Sequence, residues 1–236
     1  MNKLNLIWLH GWLFNSQIWS NMSKDFDNQH NIATPDLPGY GMNITKSNET
    51  FSISNHLINS VSRNVLIGWS FGAMLAVKHI LDFQNVSKLI LLNFNFPSKD
   101  DKLNDNAIDY LSQELMLSRD KAIKNFIFEC CKGSKKYMKD YKKLTNESII
   151  SQLPTTEVLL SNLQEIRSLR KMISVPNHLK VDTLIINGRQ DSLLSNTKPK
   201  YLNSNIKYEI INEMAHIPFL SHKKIVTEKI KSFLDE

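Results

Sequence analysis

Cysteine is almost absent from this chain of 236 residues, and its two copies, Cys130 and Cys131, are adjacent. Neighbouring cysteines rarely form a disulfide, because the bond would need a strained turn. No Cys-x-x-Cys or Cys/His spacing typical of a zinc site occurs. We therefore expect no disulfide and no metal, and we interpret both cysteines as small, buried side chains.

Long apolar runs are also missing, since no stretch approaches the ~18 consecutive apolar residues that span a bilayer. The segment from Met1 to Leu9 has one lysine and a short apolar run, with no small-residue cleavage site after it. That pattern argues against a signal peptide. With 42% hydrophobic residues, the composition favours a soluble, cytoplasmic globular protein without a membrane partner.

Glycine is scarce as well, with only seven copies. A chain this sparing should keep glycine where φ is positive or where two backbone segments approach closely. Six of the seven fall in short turn motifs at the ends of apolar runs: Gly11, Gly39, Gly41, Gly68, Gly72 and Gly188. This clustering points to a functional site.

The apolar runs that are present have strand length and are mostly continuous, as in strands buried on both faces of a parallel sheet. They are Leu4–Leu9, Asn31–Thr34, Asn64–Gly68, Lys88–Leu92, Thr183–Asn187 and Ile206–Ile211. Segments with helical spacing lie between them, at Phe51–Val61, Gly72–Phe83 and Ser221–Phe233. The alternation predicts an α/β fold with a mostly parallel, doubly wound sheet.

The alternation breaks between residues 97 and 179. Helical periodicity runs there through Ala107–Leu117, Lys121–Cys131, Lys135–Leu144 and Thr156–Met172. We interpret residues 97–179 as a helical lid, inserted into a core formed by residues 1–96 and 180–236.

The pentapeptide Gly68-Trp-Ser-Phe-Gly72 matches the G-x-S-x-G pattern, with an apolar strand before it and an Ala/Met/Leu helix after it. A nucleophilic serine needs a sharp strand-to-helix turn that exposes its hydroxyl, and larger side chains at both glycines would collide with nearby backbone. The N-terminus of the helix directs free N–H groups toward developing negative charge. We predict that Ser70 is a catalytic nucleophile.

A serine hydroxyl needs a base, and the base needs an orienting carboxylate. Behind a G-x-S-x-G serine these follow in the order Asp/Glu, then His. Asp191 follows the fifth predicted strand, at the carboxyl end where site residues gather, whereas Asp182 precedes that strand. His216 comes after the last strand, and His222, which begins the final helix, is interpreted as a surface or capping residue. We predict a triad of Ser70, Asp191 and His216.

Two backbone N–H groups must hold the oxyanion that forms during attack. We expect them to be those of Phe71, which follows the nucleophile, and of Trp12, in the loop after the first strand. His10 is interpreted as ordering that loop, and Asp36 as structural. This chemistry needs no metal and no cofactor.

With these residues placed, the chain resembles the α/β-hydrolase superfamily over nearly its whole length. More narrowly, it is similar to the pimeloyl-[acyl-carrier protein] methyl ester esterases, the carboxylesterases of biotin synthesis. The tryptophans of His-Gly-Trp12 and Gly-Trp69-Ser are the more specific features. The segments that carry the resemblance are His10-Gly-Trp-Leu-Phe-Asn15 with Trp19, Asp36-Leu-Pro-Gly-Tyr-Gly41, Gly68-Trp-Ser-Phe-Gly72, Gly188-Arg-Gln-Asp191 and Ala215-His-Ile-Pro-Phe-Leu-Ser-His222.

The resemblance implies hydrolysis of a methyl ester on an acyl chain carried by acyl-carrier protein. It places Ser70, Asp191 and His216 at the triad, and Trp12 and Phe71 at the oxyanion and substrate-contact positions. It also aligns a lid segment with the lining of the acyl pocket, namely Phe126, Ile127, Phe128, Glu129 and Cys130. The N-terminal β-hairpin usual in the superfamily is expected to be absent, because the chain starts directly at the first parallel strand.

The lid segment between Arg119 and Lys143 has nine basic and three acidic residues. Its excess of +6 (nine minus three) equals the formal net charge of the whole chain, which is +6. A basic face formed by Lys132, Lys135, Lys136, Lys139, Lys142 and Lys143 would attract an acidic carrier protein. The candidate docking residues are Lys121, Lys124, Lys135, Lys139 and Lys142. The alternative is a solvated lysine-rich helix. No recognition motif for nucleic acid accompanies the charge, so we expect no nucleic-acid partner. We also expect the protein to be a monomer.

Three other functions stay open at this point. One is a general short-chain carboxylesterase or thioesterase that needs no carrier protein. Another is a C–C lyase of the same fold, such as the menaquinone-pathway enzyme. The third is a ligand-binding receptor with little turnover, because one fold hosts many functions.

Overall fold

Six parallel strands form the centre of the protein. The computed structural model describes residues 3–44, 51–97, 105–146, 152–173, 179–194 and 203–236. The strands are β1 (Asn5–Leu9), β2 (Asn31–Ala33), β3 (Asn64–Trp69), β4 (Lys88–Leu92), β5 (Asp182–Gly188) and β6 (Ile206–Ile211). Their order across the sheet is β2-β1-β3-β4-β5-β6, and every neighbouring pair is parallel.

Continuous apolar sequence explains which strands lie in the middle of the sheet. Every residue of β1 and β3 is buried, and so are four of the five residues of β4. The edge strand β6 has only its first and last residues buried. The predicted doubly wound parallel sheet is confirmed, and the described residues add no antiparallel strand pair at either edge.

Seven α-helices occur in the described residues. They are α1 (Phe71–Asp82), α2 (Asp105–Leu117), α3 (Arg119–Cys131), α4 (Tyr137–Leu144), α5 (Thr156–Met172), α6 (Pro218–Ser221) and α7 (Lys223–Leu234). None of them is long and apolar enough to cross a membrane.

Helices α2 to α5 lie between β4 and β5 in the chain, as the helical periodicity predicts. α2 packs on α3 and α5, α3 packs on α4, and α5 reaches α1. α5 begins after Thr155, whose hydroxyl accepts a hydrogen bond from the Val158 N–H at 3.3 Å. The division into a core of residues 1–96 and 180–236 and a lid of residues 97–179 stays a prediction.

Two predicted helices differ from the structure. Phe51–Val61 forms only a short 3-10 turn at Ile53–His56, and another turn starts at its end. Ser and Asn occupy five of its eleven positions, and such side chains compete with helical backbone hydrogen bonds. α4 begins at Tyr137 rather than Lys135. Lys132, Lys135 and Lys136 therefore precede that helix, and the six lysines do not share one helical face.

We predict that Gly72→Ala destabilises the fold, because a Cβ there would collide with the backbone carbonyl oxygens of Leu9 and His10. Backbone cannot rotate away as a side chain can, so the free energy of unfolding should fall by about 3 kcal/mol. Urea unfolding measures this. The matched control is the reverse exchange in the same helix, Ala76→Gly, which should cost about 1 kcal/mol through helix propensity. A Gly72→Ala variant no less stable than this control would contradict the close packing.

Candidate active site

Ser70 occupies the sharp turn between β3 and α1. Its φ of 53° and ψ of −113° lie in a region that non-glycine residues rarely adopt. The turn is held by the Ser70 N–H, which donates to Leu92 O at 3.0 Å, and by Ser70 O, which accepts from Ala73 N at 3.0 Å. A Cβ at Gly68 would lie 2.6 Å from Ala73 Cα, so helix and strand pack closely only with glycine there. Such local strain is typical of functional positions.

Asp191 and His216 form a buried pair beside this turn. The imidazole Nδ1 lies 2.7 Å from Asp191 Oδ2, and both side chains are almost completely inaccessible to solvent. The other carboxylate oxygen accepts from Leu193 N at 2.9 Å. A carboxylate only accepts hydrogen bonds, so Nδ1 is the protonated nitrogen and Nε2 remains available as a base.

The backbone of His216 is fixed from two sides. Its N–H donates to Cys130 O at 3.1 Å, and its carbonyl oxygen accepts from Trp69 Nε1 at 2.7 Å. Cys130 is the penultimate residue of α3, so the end of this helix directly holds the histidine loop. Burial raises the pKa of the Cys130 thiol well above its usual value. The thiol therefore stays protonated and is unsuited to act as a nucleophile.

Ser70 and His216 open into one largely apolar cavity. The lining comes from α1, α2, α3 and α5 and from the loops after β1, β3, β4, β5 and β6: Trp12, Ser70, Met74, Asn93, Phe94, Asn95, Leu111, Phe126, Leu163, Ile166, Arg170, Leu193, Leu194 and His216. Trp12 and Phe126 meet edge to face at 4.7 Å, and the indole N–H of Trp12 donates to Leu159 O at 3.1 Å. Such a cavity suits an apolar acyl chain.

Two backbone amides, those of Trp12 and Phe71, are candidates to bind an oxyanion. Phe71 is the first residue of α1, whose N-terminus carries partial positive charge. Within the part of the chain that the structure describes, the N–H groups of Trp12 and Phe71 donate to no other backbone carbonyl. They are therefore available to a developing negative charge.

His10 orders the loop that carries Trp12. Its Nε2 accepts from Leu37 N at 3.0 Å, which leaves Nδ1 to donate to Gly11 O at 3.0 Å. Asp36 is structural in the same region, because its carboxylate accepts from Ser16 N and Met42 N. The ring of His10 thus connects the loops after β1 and β2.

The structure brings Ser70, Asp191 and His216 together, whereas the lid segment predicted to line the pocket contributes only Phe126. Ile127 is fully buried, and Phe128 packs against Tyr137 and Tyr141. The side chain of Glu129 pairs with Lys132. The cavity lining therefore does not include the other four residues that the resemblance aligned with it, namely Ile127, Phe128, Glu129 and Cys130. Only one face of α3 can turn toward the cavity.

Sequence reasoning missed two groups of lining residues. Asn93, Phe94 and Asn95 follow β4, and their position at the carboxyl end of a central strand was a usable signal. Leu163, Ile166 and Arg170 lie on one face of α5, and no local pattern told which helix face would meet the cavity. The described residues hold no cluster of three or more His, Cys, Asp or Glu side chains that could bind a metal ion.

Comparison with known proteins agrees with this geometry. Residues 5–223 match a family described as the alpha/beta hydrolase fold. The chain belongs to the α/β-hydrolase family. Among solved structures of this fold, it is similar to an enol-lactonase from Burkholderia xenovorans LB400, with a TM-score of 0.78 and 15% identity over 100% of this chain and 93% of the other. It is also similar to MGS-M2, an α/β-hydrolase enzyme from a deep-sea metagenome library, with a TM-score of 0.75 and 16% identity over 100% and 90%.

Among curated α/β-hydrolases, relatives cover nearly the full length of the chain. One is the pimeloyl-[acyl-carrier protein] methyl ester esterase of Wigglesworthia glossinidia brevipalpis, 30% identical over 98% of this chain and 94% of the relative. Another bears the same name in Pseudoalteromonas atlantica and is 30% identical over 92% and 89%. These relatives support ester hydrolysis at the level of the family.

We predict that His10 makes the stability of the fold depend on pH. Burial lowers the pKa of His10 from 6.5 to about 4, so between these values the unfolded chain binds more protons than the folded one. Stability is therefore full above pH 6.5 and falls as the pH falls toward 4, by about 2 kcal/mol between pH 7 and pH 4.5. Other histidines with a lowered pKa, such as His56, act in the same direction.

Urea unfolding at both pH values separates the contribution of His10 from theirs. His10→Gln should reduce the difference in unfolding free energy between pH 7 and pH 4.5 by about 2 kcal/mol. The matched control, His56→Gln, changes a much less buried imidazole and should alter the difference far less. Equal pH dependence in wild type and His10→Gln would show that His10 is not the dominant titrating group.

Proposed function

We propose that this chain is a serine carboxylesterase that converts pimeloyl-[acyl-carrier protein] methyl ester to pimeloyl-[acyl-carrier protein] and methanol, in biotin biosynthesis. The observation that carries the proposal is that Ser70, on its strained turn, and His216, which is paired with the buried Asp191, line one apolar cavity. The names of the full-length relatives support the choice of substrate.

The mechanism follows from the positions of the three side chains. His216 Nε2 accepts the proton of Ser70 as the oxygen attacks the ester carbonyl, and Asp191 stabilises the resulting imidazolium. The N–H groups of Trp12 and Phe71 bind the oxyanion. The imidazolium then protonates the departing methoxy group, which leaves as methanol. A water molecule deprotonated by His216 hydrolyses the acyl-enzyme and restores Ser70. No metal or cofactor takes part in these steps.

Surface charge supports an acidic carrier protein as the partner. The side chains of the candidate docking residues are exposed on the lid: Lys121, Lys124, Lys135, Lys139 and Lys142. Lys135 forms an ion pair of 2.7 Å with Glu213, so part of its charge is already balanced. The remaining positions are the stronger candidates. In this proposal the enzyme acts as a cytoplasmic monomer, with neither nucleic acid nor membrane as a partner.

The same cavity is compatible with a general short-chain carboxylesterase or thioesterase. Its lining is mainly apolar and offers contacts to an acyl chain rather than to a carrier. Selection of the carrier would then come only from the protein surface outside the cavity. Measurements on carrier-linked and free esters therefore separate the two functions.

We predict a higher kcat/KM for the carrier-linked pimeloyl methyl ester than for a free short-chain aryl ester. The Ser70→Ala variant should lose at least about 10³-fold of either activity, because it lacks the nucleophile. Steady-state kinetics on the purified protein measures both. Equal rates on the two substrates would identify a general esterase, and full activity of Ser70→Ala would overturn the serine mechanism.

We predict that charge reversal on the lid weakens only the carrier-linked reaction. The double variant Lys139→Glu/Lys142→Glu should lower kcat/KM for the carrier-linked ester about 10-fold at low salt, and this loss should shrink as ionic strength rises. Hydrolysis of the free ester should not change. The matched control is Lys3→Glu/Lys180→Glu, which makes the same change of net charge. These two lysines lie just before the amino ends of β1 and β5, at the sheet edge opposite to the site. An equal loss in both double variants would remove the lid from the docking surface.

A further inference from the structure

Asn93 lies directly after β4, at the sheet edge that carries the site. Its φ of 48° is in the left-handed region, which asparagine tolerates better than most residues. Its backbone N–H donates to Ile186 O in the neighbouring strand at 2.9 Å. The turn therefore aims this side chain back over the end of β5, where Asp191 lies.

The side-chain amide of Asn93 bridges the two loops of the proposed acid–base pair. Its Nδ2 donates to Asp191 Oδ2 at 2.7 Å, the same oxygen that accepts from His216 Nδ1. It also donates to Ala215 O, next to His216 in the chain, at 3.2 Å. A carboxylate and a carbonyl are both acceptors, so the orientation of the amide is determined.

The other end of this amide is unfavourable for stability. Among the described residues, Asn93 Oδ1 is buried and accepts no hydrogen bond. Burying a carbonyl oxygen without a donor is costly, and the left-handed backbone adds strain at the same residue. An apolar side chain would avoid the first cost, but it could not donate to Asp191.

We propose that Asn93 is a positioning residue that holds the Asp191 carboxylate against His216. Its N–H fixes the oxygen that the imidazole uses, and its second contact fixes the loop that carries the imidazole. The role in catalysis rests on the proposed function, whereas the hydrogen-bond geometry of the Asp191–His216 pair does not.

The decisive variant is Asn93→Gly, which removes the amide and tolerates the left-handed backbone. Without the amide, the Asp191 carboxylate is no longer held in place, so its hydrogen bond to His216 Nδ1 should change. The low-field NMR resonance of the Nδ1 proton reports this bond without reference to any substrate. That resonance should shift or broaden in Asn93→Gly.

The same variant should lower kcat for a free aryl ester about 10- to 100-fold, with a smaller change in KM, because the base is no longer held in line with the serine. The matched control is Asn212→Gly on the His216 loop, an exposed position whose side-chain oxygen accepts from Arg189 Nε at 2.7 Å. It removes an amide that bonds to Arg189 rather than to Asp191, so the Nδ1 proton resonance and kcat should match the wild type.

The outcomes separate this proposal from the proposed function. An unchanged Nδ1 proton resonance in Asn93→Gly overturns the positioning role, even if the enzyme hydrolyses esters. A changed resonance in a protein without ester hydrolysis supports the positioning role and overturns the proposed function. A change of the same size in Asn212→Gly would show a general loosening of the loop and would also overturn the positioning role.

Discussion

The close approach of helix α1 to the ends of β1 and β3 is the constraint on which the site depends. A Cβ at Gly72 would meet the carbonyl oxygens of Leu9 and His10, and one at Gly68 would meet the start of the helix. Because no side chains keep these segments apart, the turn is tight enough to force Ser70 to a positive φ. The same packing brings the N–H of Phe71 to the loop that holds Trp12. In the proposed mechanism, nucleophile and oxyanion donors thus share one origin in backbone geometry.

Parallel strands that end at one edge supply the rest of the site, and helix α3 holds two of its loops. β3, β4, β5 and β6 lead into the loops of Ser70, Asn93, Asp191 and His216. The last residues of α3 bind the loops of Asp191 and His216, since Cys130 O accepts from His216 N and Glu129 O accepts from Ser192 Oγ at 2.9 Å. Helix α3 and these two loops are therefore parts of one hydrogen-bonded structure.

Signals that are local in sequence predicted most of this arrangement. The strand bounds follow continuous apolar runs, and the serine turn follows the spacing of two glycines, so the fold class is confirmed by the structure. One failure had a local cause: Phe51–Val61 has helical spacing, but its serines and asparagines form turns. The other failures occurred where distant segments decide. Ile127 and Phe126 are neighbours, yet only Phe126 lines the cavity, because the packing of α3 on other helices selects the exposed face. Asn93 acquires its role only through contacts with residues about 100 positions away.

In the proposed function, the choice of substrate divides into two physical contributions. The cavity lining removes apolar surface of the acyl chain from water, a short-range effect that depends on chain length and is insensitive to salt. The lid lysines attract an acidic partner at long range, an effect that salt screens within about 10 Å at 0.1 M ionic strength. The lysines are exposed and the cavity is enclosed by other residues, so the two contributions share no side chain. Contributions of this kind add, because sites without shared partners rarely couple. A relative could therefore keep the same chemistry at Ser70 while losing or gaining preference for a carrier protein through surface charge alone.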